Sequence, residues 1–406
     1  MKIRFPVLIF LMVFSIAADG LNWQLVETQF VNDVLGEGGR PPYEAIIAPD
    51  GSALAWGIRG REGGLCIYTF ADATKTCTPW PEDYDRSGTD LVWSADSQFL
   101  AFTENFFLNF REPDLWTFEV STSSFANRTQ DNETDTIIDE AFDGLVDYLP
   151  FWNPADNGLY FFRSEKLADT YTLTLMRLNG EMAEMVRDLT SDLPQFGIFR
   201  RPAIDPGGQY IALPVAGREN RDPLNGVWLL NLENGDLNQI IRYDDFSEVV
   251  PEWVEKDVPV NIEHVQWAGS QGLVVFLYSG AFEATYGLIN YYYFDLATEK
   301  LTPLFDFSGL NEPADMFQLD SEGQTPFSHF PRVGVVAPDG SAFFYVHYAE
   351  PRAEVRVSAL PLPPGISEPQ QIGFMETSQG LPDPHPSMAQ NGTAYMFAYV
   401  MKFERQ

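Results

Sequence analysis

The stretch Ala48-Pro49-Asp50-Gly51 stands between two apolar runs, Ile46-Ile47 before it and Ala53-Leu54-Ala55-Trp56 after it. The phrase returns as Ser94-Ala95-Asp96-Ser97, Asn153-Pro154-Ala155-Asp156 and Asp205-Pro206-Gly207-Gly208. It recurs again as Ala268-Gly269-Ser270-Gln271-Gly272, Ala337-Pro338-Asp339-Gly340 and Ala389-Gln390-Asn391-Gly392. A period of roughly 46 to 68 residues marks an array of like supersecondary units. Each phrase is a hairpin signal, because Asp and Gly both accept positive φ.

The neighbours of each phrase define the unit. A short apolar strand precedes it, as in Val92-Trp93 or Phe151-Trp152, and a second follows, as in Phe99-Leu100-Ala101-Phe102. A third alternates, as in Leu115-Trp116-Thr117-Phe118, and a fourth closes the unit, as in Leu237-Asn238-Gln239-Ile240-Ile241. Four antiparallel strands per unit, repeated, predict an all-β chain folded as a β-propeller. Seven phrases predict seven blades. The last unit is incomplete, and Trp23 to Phe30 belongs to no unit of its own. That run is expected to pair with the C-terminal strand as the outer strand of the last blade, closing the ring. Six blades follow instead if the C-terminal fragment only packs on the rim.

The unit resembles the WD40-like (PD40) repeat of TolB-type propellers, in which Trp-Ser-Pro-Asp-Gly leads into an Ile-Ala-Phe-like strand. Val92-Trp93-Ser94-Ala95-Asp96 with Leu100-Ala101-Phe102 is a close copy, and Ala337-Pro338-Asp339-Gly340 a partial one. This resemblance spans nearly the whole mature chain. It implies a propeller that serves as a scaffold or binding module.

Composition agrees with an all-β reading: aromatic residues make up 14 %, with 31 Gly and 29 Pro for turns. At the N-terminus, Lys2 and Arg4 precede an apolar run of 14 residues from Phe5 to Ala18, then Ser15-Ile16-Ala17 offers small residues for cleavage. This predicts a signal peptide over 1–17 and one propeller domain over 21–406, in a secreted or periplasmic protein. The run is short for a membrane span, which needs about 20 residues. The net charge of −33 repels nucleic acid and anionic membranes, and suits a cation or a basic partner. A protein or peptide partner, or a small carbohydrate, is expected, bound by a monomer.

Cys66 and Cys77 flank the turn Asp72-Ala73-Thr74 and are expected to form a cross-strand disulfide in an oxidising compartment. Three long segments, 127–149, 243–262 and 305–329, are candidate binding loops. Asp131 to Asp135 alternates carboxylates but lacks the Gly and Glu of a calcium loop, and Asn127, Asn132 and Asn391 match the glycosylation pattern.

No catalytic signature is present: no Gly-x-Ser-x-Gly elbow, no His-Glu-x-x-His, no phosphate loop. Catalytic residues are therefore not assigned. Aligning the units on Ile47, Trp93, Trp152, Ile204, Trp267, Val336 and Met388 brings a second set into phase three residues earlier. That set is Glu44, Asp90, Leu149, Arg201, His264, Val333 and His385, of which five are ionisable. On the first, innermost strand of each blade this phase is expected at one end of the axial channel. Glu44, Asp90, Arg201, His264 and His385 are the candidate binding residues. His264 and His385, with the carboxylates, form a candidate site for a divalent metal ion. Arg201 suits a carboxylate. A metal-dependent carbohydrate lyase or hydrolase is the catalytic alternative. A solvated channel lining accounts for the same residues without function.

Overall fold

The structure is a computed structural model that describes residues 23–31, 45–58, 63–81, 89–104, 113–129, 144–167, 170–193, 201–215, 222–246, 249, 260–279, 288–305, 333–349, 354–365, 369–376, 386–396 and 398–405. The expected signal segment 1–17, Glu44, Asn132, His385, the stretch Asp131 to Asp135, and most of the three long segments lie outside the described residues.

The described chain begins with β1 (Trp23–Phe30). Blade 1 contains β2 (Ile46–Ile47), β3 (Ala53–Ile58), β4 (Gly64–Thr69) and β5 (Thr74–Pro79). Blade 2 contains β6 (Thr89–Trp93), β7 (Phe99–Thr103), β8 (Leu115–Glu119) and β9 (Ser124–Asn127). Blade 3 contains β10 (Gly144–Trp152), β11 (Leu159–Leu167), β12 (Thr170–Asn179) and β13 (Met182–Asp188). Blade 4 contains β14 (Ala203–Ile204), β15 (Tyr210–Val215), β16 (Gly226–Asn231) and β17 (Leu237–Arg242), followed by the short helix α1 (Tyr243–Phe246). Blade 5 contains β18 (Val260–Ala268), β19 (Gly272–Ser279), β20 (Leu288–Asp295) and β21 (Lys300–Pro303). Blade 6 contains β22 (Val333–Val336), β23 (Ala342–Ala349), β24 (Glu354–Pro361) and β25 (Gln370–Glu376). Blade 7 contains β26 (Ser387–Met388), β27 (Thr393–Met396) and β28 (Tyr399–Arg405), with β1 on its outer edge.

All seven sheets have four antiparallel strands, and the chain is a seven-bladed β-propeller. β1 pairs with β28 from Trp23 opposite Arg405 to Phe30 opposite Tyr399, so the chain's two ends complete one blade. The first strands touch one another around the ring, β26 with β2, β2 with β6, β6 with β10, β14 with β18, β18 with β22 and β22 with β26. They therefore line the axis.

Successive side chains of a strand point to opposite faces, and each blade uses both faces. In β3, Leu54 and Trp56 pack toward blade 7, whereas Ala53 and Ala55 pack toward blade 2. The buried apolar residues fall into seven clusters, and each joins one pair of neighbouring blades. Blade 3 meets blade 4 through Phe162, Leu175, Ile211 and Leu213, and blade 6 meets blade 7 through Phe344, Val357, Met401 and Phe403. Each fully buried Leu or Phe contributes about 1.5–3 kcal/mol of transfer free energy, so the stability resides in the seams. The Cys66 and Cys77 sulfurs are bonded across β4 and β5, with Cα atoms 4.1 Å apart.

The repeated turn is less symmetric than its Asp-Gly pair suggests. The Gly51 N–H donates to the Ala48 carbonyl at 2.8 Å, and Gly51 alone takes positive φ, at 72°. Asp50 keeps negative φ and instead accepts the Ser52 N–H on its carboxylate at 2.9 Å. Ser97, Gly208, Gly340 and Gly392 repeat the positive φ. Neighbouring turns are tied together: the Asp50 N–H donates to Ser97 Oγ, the Ala95 N–H to Asn157 Oδ1, and Asn153 Nδ2 to the Gly208 carbonyl. Two tryptophans act similarly on the inner strands. Trp93 Nε1 donates to the Ile46 carbonyl at 3.2 Å, and Trp267 Nε1 to the Ala203 carbonyl at 2.8 Å. Trp152 occupies the same phase but stacks on Phe99 and leaves its buried Nε1 without a hydrogen-bond partner among the described residues.

Candidate functional site

Opposite the turns, each inner strand begins at the other end of the axis. Here the ladder of three blades is broken at the same level. The register shifts between Thr89 and Val92 in blade 2, between Tyr148 and Phe151 in blade 3, and between Ile262 and His264 in blade 5. A bulge of this kind re-aims side chains at a rim. Asp90 and Leu149 take left-handed backbone conformations there, with φ of 57° and 51°.

Three of the five candidate residues are described, and all three share one electrostatic neighbourhood. Asp90 belongs to blade 2, Arg201 leads into β14 of blade 4, and His264 lies on β18 of blade 5. The Leu149 N–H donates to the Asp90 carboxylate. Burial pushes the Asp90 carboxyl above the usual range, and the Arg201 charge and the Leu149 N–H pull it back in part. His264 is 8 % exposed. Burial, reinforced by the Arg201 cation, pushes its pKa down to about 3, so the imidazole is neutral at physiological pH. Arg201 therefore acts on both, attracting the carboxylate and keeping the imidazole neutral. No ion pair joins Arg201 to any described residue.

Gln266 fixes the imidazole. Its Oε1 accepts the Val336 N–H at 2.8 Å, and its Nε2 donates to the Gly334 carbonyl at 3.1 Å. Those two bonds to the inner strand of blade 6 decide which end of the amide is nitrogen. That nitrogen lies 3.0 Å from His264 Nε2, which must accept. The neutral ring then carries its proton on Nδ1. His264 Nδ1 is buried and has no hydrogen-bond partner among the described residues, and the same holds for Arg201 Nε. Phe276 and Tyr291 pack on the imidazole, with centroids 4.9 and 6.1 Å away, and the Tyr291 hydroxyl accepts the Gly334 N–H. Leu149 and Val333 complete the described level as buried apolar residues.

This donor set bears on the metal expectation. Among the described residues no group of three or more His, Cys, Asp or Glu side chains is placed to hold a metal ion. His264 offers a metal no free lone pair while Gln266 occupies Nε2, and Arg201 adds a positive charge beside it. The described part of the ring thus sets one carboxylate, Asp90, and one cation, Arg201, about a neutral imidazole.

Two further polar pairs escaped sequence reasoning. Arg163 grips the fully buried Asp147 with two bonds of 2.7 Å, and His347 Nε2 lies 2.9 Å from Ser358 Oγ between β23 and β24. Both are internal to single blades. An i, i+2 reading of His264 with Gln266 on one strand face is the signal that points to the clamp.

No protein-family model matches the chain, and no curated protein sequence matches it. Solved structures share its fold. An oligogalacturonate lyase in complex with manganese is 13 % identical, with a TM-score of 0.53 over 89 % of each chain. An oligogalacturonate lyase from Vibrio parahaemolyticus is 14 % identical, with a TM-score of 0.50 over 89 % of each chain. A prolyl endopeptidase is 12 % identical, with a TM-score of 0.50 over 88 % of this chain. The present chain spans 45 % of that peptidase's length. At such identities the likeness extends to the fold alone.

Proposed function

We propose that this propeller is an exported binding scaffold without chemistry of its own, taking a protein or peptide ligand at the axial opening beside Asp90, Arg201 and His264. The observation that carries this reading is the pair of buried donors, Arg201 Nε and His264 Nδ1, left without partners among the described residues. Buried polar groups in a fold are normally satisfied internally. Two such donors on adjacent blades support a ligand contact at this level of the axis. The charge of −33 favours a neutral or basic ligand, and export rests on Lys2, Arg4 and the apolar run after them.

The test is capture of partners from native medium by the wild-type chain and by an Arg201→Ala/His264→Ala variant of matched circular dichroism. A partner held by the wild type and lost by the variant supports the reading. Equal capture by both moves the binding surface to the loops. The shared fold over 89 % of the oligogalacturonate lyases keeps a metal-dependent carbohydrate lyase or hydrolase as the second reading. Turnover of oligogalacturonate by the purified chain with added manganese would replace the scaffold reading with that one.

A further inference from the structure

We infer that the Cys66–Cys77 disulfide is a site of covalent modification by low-molecular-weight thiols: the incoming thiolate attacks Cys77 Sγ and stays there as a mixed disulfide, while Cys66 is released as a thiol. The inference is independent of any ligand at the axis.

The first support is the unequal exposure of the two partners. Cys77 lies on β5, the outermost strand of blade 1, and is exposed. Cys66 lies on β4 and is 0 % exposed, inside the apolar cluster that joins blade 1 to blade 7. One end of the bond therefore stands in solvent and the other in a seam. Exchange depends on which sulfur a thiolate can reach, and here only Cys77 is within reach of solvent.

The second support is what flanks each cysteine. Trp56 is paired with Cys66, and Cys66 with Cys77, so the three form one row across β3, β4 and β5. Side chains paired in this way share a face of the sheet. A thiolate displaces the leaving sulfur from the far side of the sulfur that it attacks. On the side away from Cys77, Cys66 is covered by Trp56, which is buried in the same cluster. On the side away from Cys66 the row ends, because no described strand pairs with the outer edge of β5.

The third support is that the exchange is closed and reversible. A sulfur–sulfur bond forms between the incoming thiol and Cys77, the Cys66–Cys77 bond breaks, and Cys66 Sγ takes the electron pair and then a proton from water. No oxidant or reductant beyond the thiol is consumed. The chain has two cysteines in all, so no third thiol can divert the bond. The released Cys66 is a small apolar group in an apolar seam, which suits the neutral thiol. The backbone ladder holds β5 in place on both sides of the pair, Leu65 with Thr78 and Ile67 with Thr76. Cys66 therefore stays opposite Cys77, and its return attack restores the bond and frees the thiol.

The experiment exposes the full chain, without denaturant, to excess reduced glutathione. Samples from the earliest times are quenched with N-ethylmaleimide in urea and mapped by peptide mass spectrometry. Glutathione is expected on Cys77 at least about tenfold more than on Cys66, with maleimide on Cys66. The reverse step is read in the single-cysteine chains with dithiodipyridine. Cys66→Ala should react at Cys77 at least about tenfold faster than Cys77→Ala reacts at Cys66, and urea should erase the difference. Circular dichroism checks that both variants fold, and if either does not, the map of the wild-type chain decides. If the bond is reduced with no adduct seen, the two variants decide. Glutathione on Cys66 first, or on both cysteines alike, overturns the inference. So does a folded chain that stays oxidised in glutathione that opens the bond in urea, or equal rates for the two variants when folded.

Discussion

The Gln266 amide nitrogen lies 3.0 Å from His264 Nε2, and through that contact a residue bonded to blade 6 determines the protonation pattern of a residue in blade 5. Gln266 thereby sets the tautomer, while burial and the Arg201 charge keep the imidazole neutral, so the fold holds a buried group that resists protonation. That resistance is measurable.

Stability should fall on the acid side. His264 has a folded pKa of about 3 against 6.5 unfolded, so the unfolded chain binds one more proton between these values. The contribution is fully present above pH 6.5 and is lost progressively as pH falls toward 3. Asp90 works in the opposite sense: its raised pKa gives a contribution present at low pH and lost as pH rises through the folded value. The expected slope from His264 alone approaches about 1.4 kcal/mol per pH unit. Urea titrations from pH 4 to 7 should show His264→Phe flattening the profile and Asp90→Asn steepening it. Asn also tolerates the left-handed backbone at this position, whereas Asp90→Ala should cost about 1–2 kcal/mol through strain and the lost bond from Leu149. Equal profiles for wild type and His264→Phe would refute the assignment.

The three inner tryptophans should separate by their indole partners. Trp93→Phe and Trp267→Phe each remove a bond to the preceding blade and leave a carbonyl unpaired, at about 1–3 kcal/mol. Trp152→Phe removes an Nε1 that has no described partner, and its stacking on Phe99 suits a Phe ring. Its loss should be smaller by about 1 kcal/mol or more in the same urea assay.

Two glycines of similar φ offer a control on the turns. Gly180 has φ of 64° and open space where a Cβ would stand. Gly340 has φ of 73°, and its Cβ would collide with the backbone of Ala268 and Gly269 in blade 5. Gly180→Ala should cost about 1 kcal/mol, the price of the left-handed backbone alone. Gly340→Ala should cost clearly more, because the two turns must move apart.

Removing the disulfide should loosen blade 1 selectively. Cys66 and Cys77 close a short loop, with a sequence separation of 11. The chain-entropy argument gives about 3 kcal/mol for a loop of that size. Cys66→Ala/Cys77→Ala should lower the melting temperature, and hydrogen exchange should quicken first in β4 and β5. Exchange that quickens uniformly around the ring would contradict a local role.

Much of this molecule is legible in its sequence because repetition supplies an internal ruler. The turn phrases set the blade number, and the unassigned run Trp23 to Phe30 takes its place beside the C-terminal strand. The ring phase also places Asp90, Arg201 and His264 near one another, although each belongs to a different blade. Gln266 was not legible in the same way. Its role depends on the Gly334 and Val336 backbone, 68 and 70 residues along the chain. Nor did the pattern show that Asp50 would stay at negative φ while Gly51 alone turned over. An Asp-Gly pair suits either turn, and the choice falls to the Asp50–Ser52 and Asp50–Ser97 bonds. The bulges at Asp90, Leu149 and Glu263 leave no trace in an apolar alternation, since one extra residue merely shifts it.

The pairing of Trp23 with Arg405 fixes an order of events in the life of the chain. Among the described strands β1 comes first and its partner β28 last, so the ring stays open until β28 is made. Blades 1 to 6 can stack as they emerge, each on its predecessor, with one unsealed seam at the growing end. Closure then pairs residues separated by almost the entire chain, the kind of long-range contact that slows folding. Loss of the last few residues would free Trp23 to Phe30 and expose the buried faces of blades 6 and 7 together.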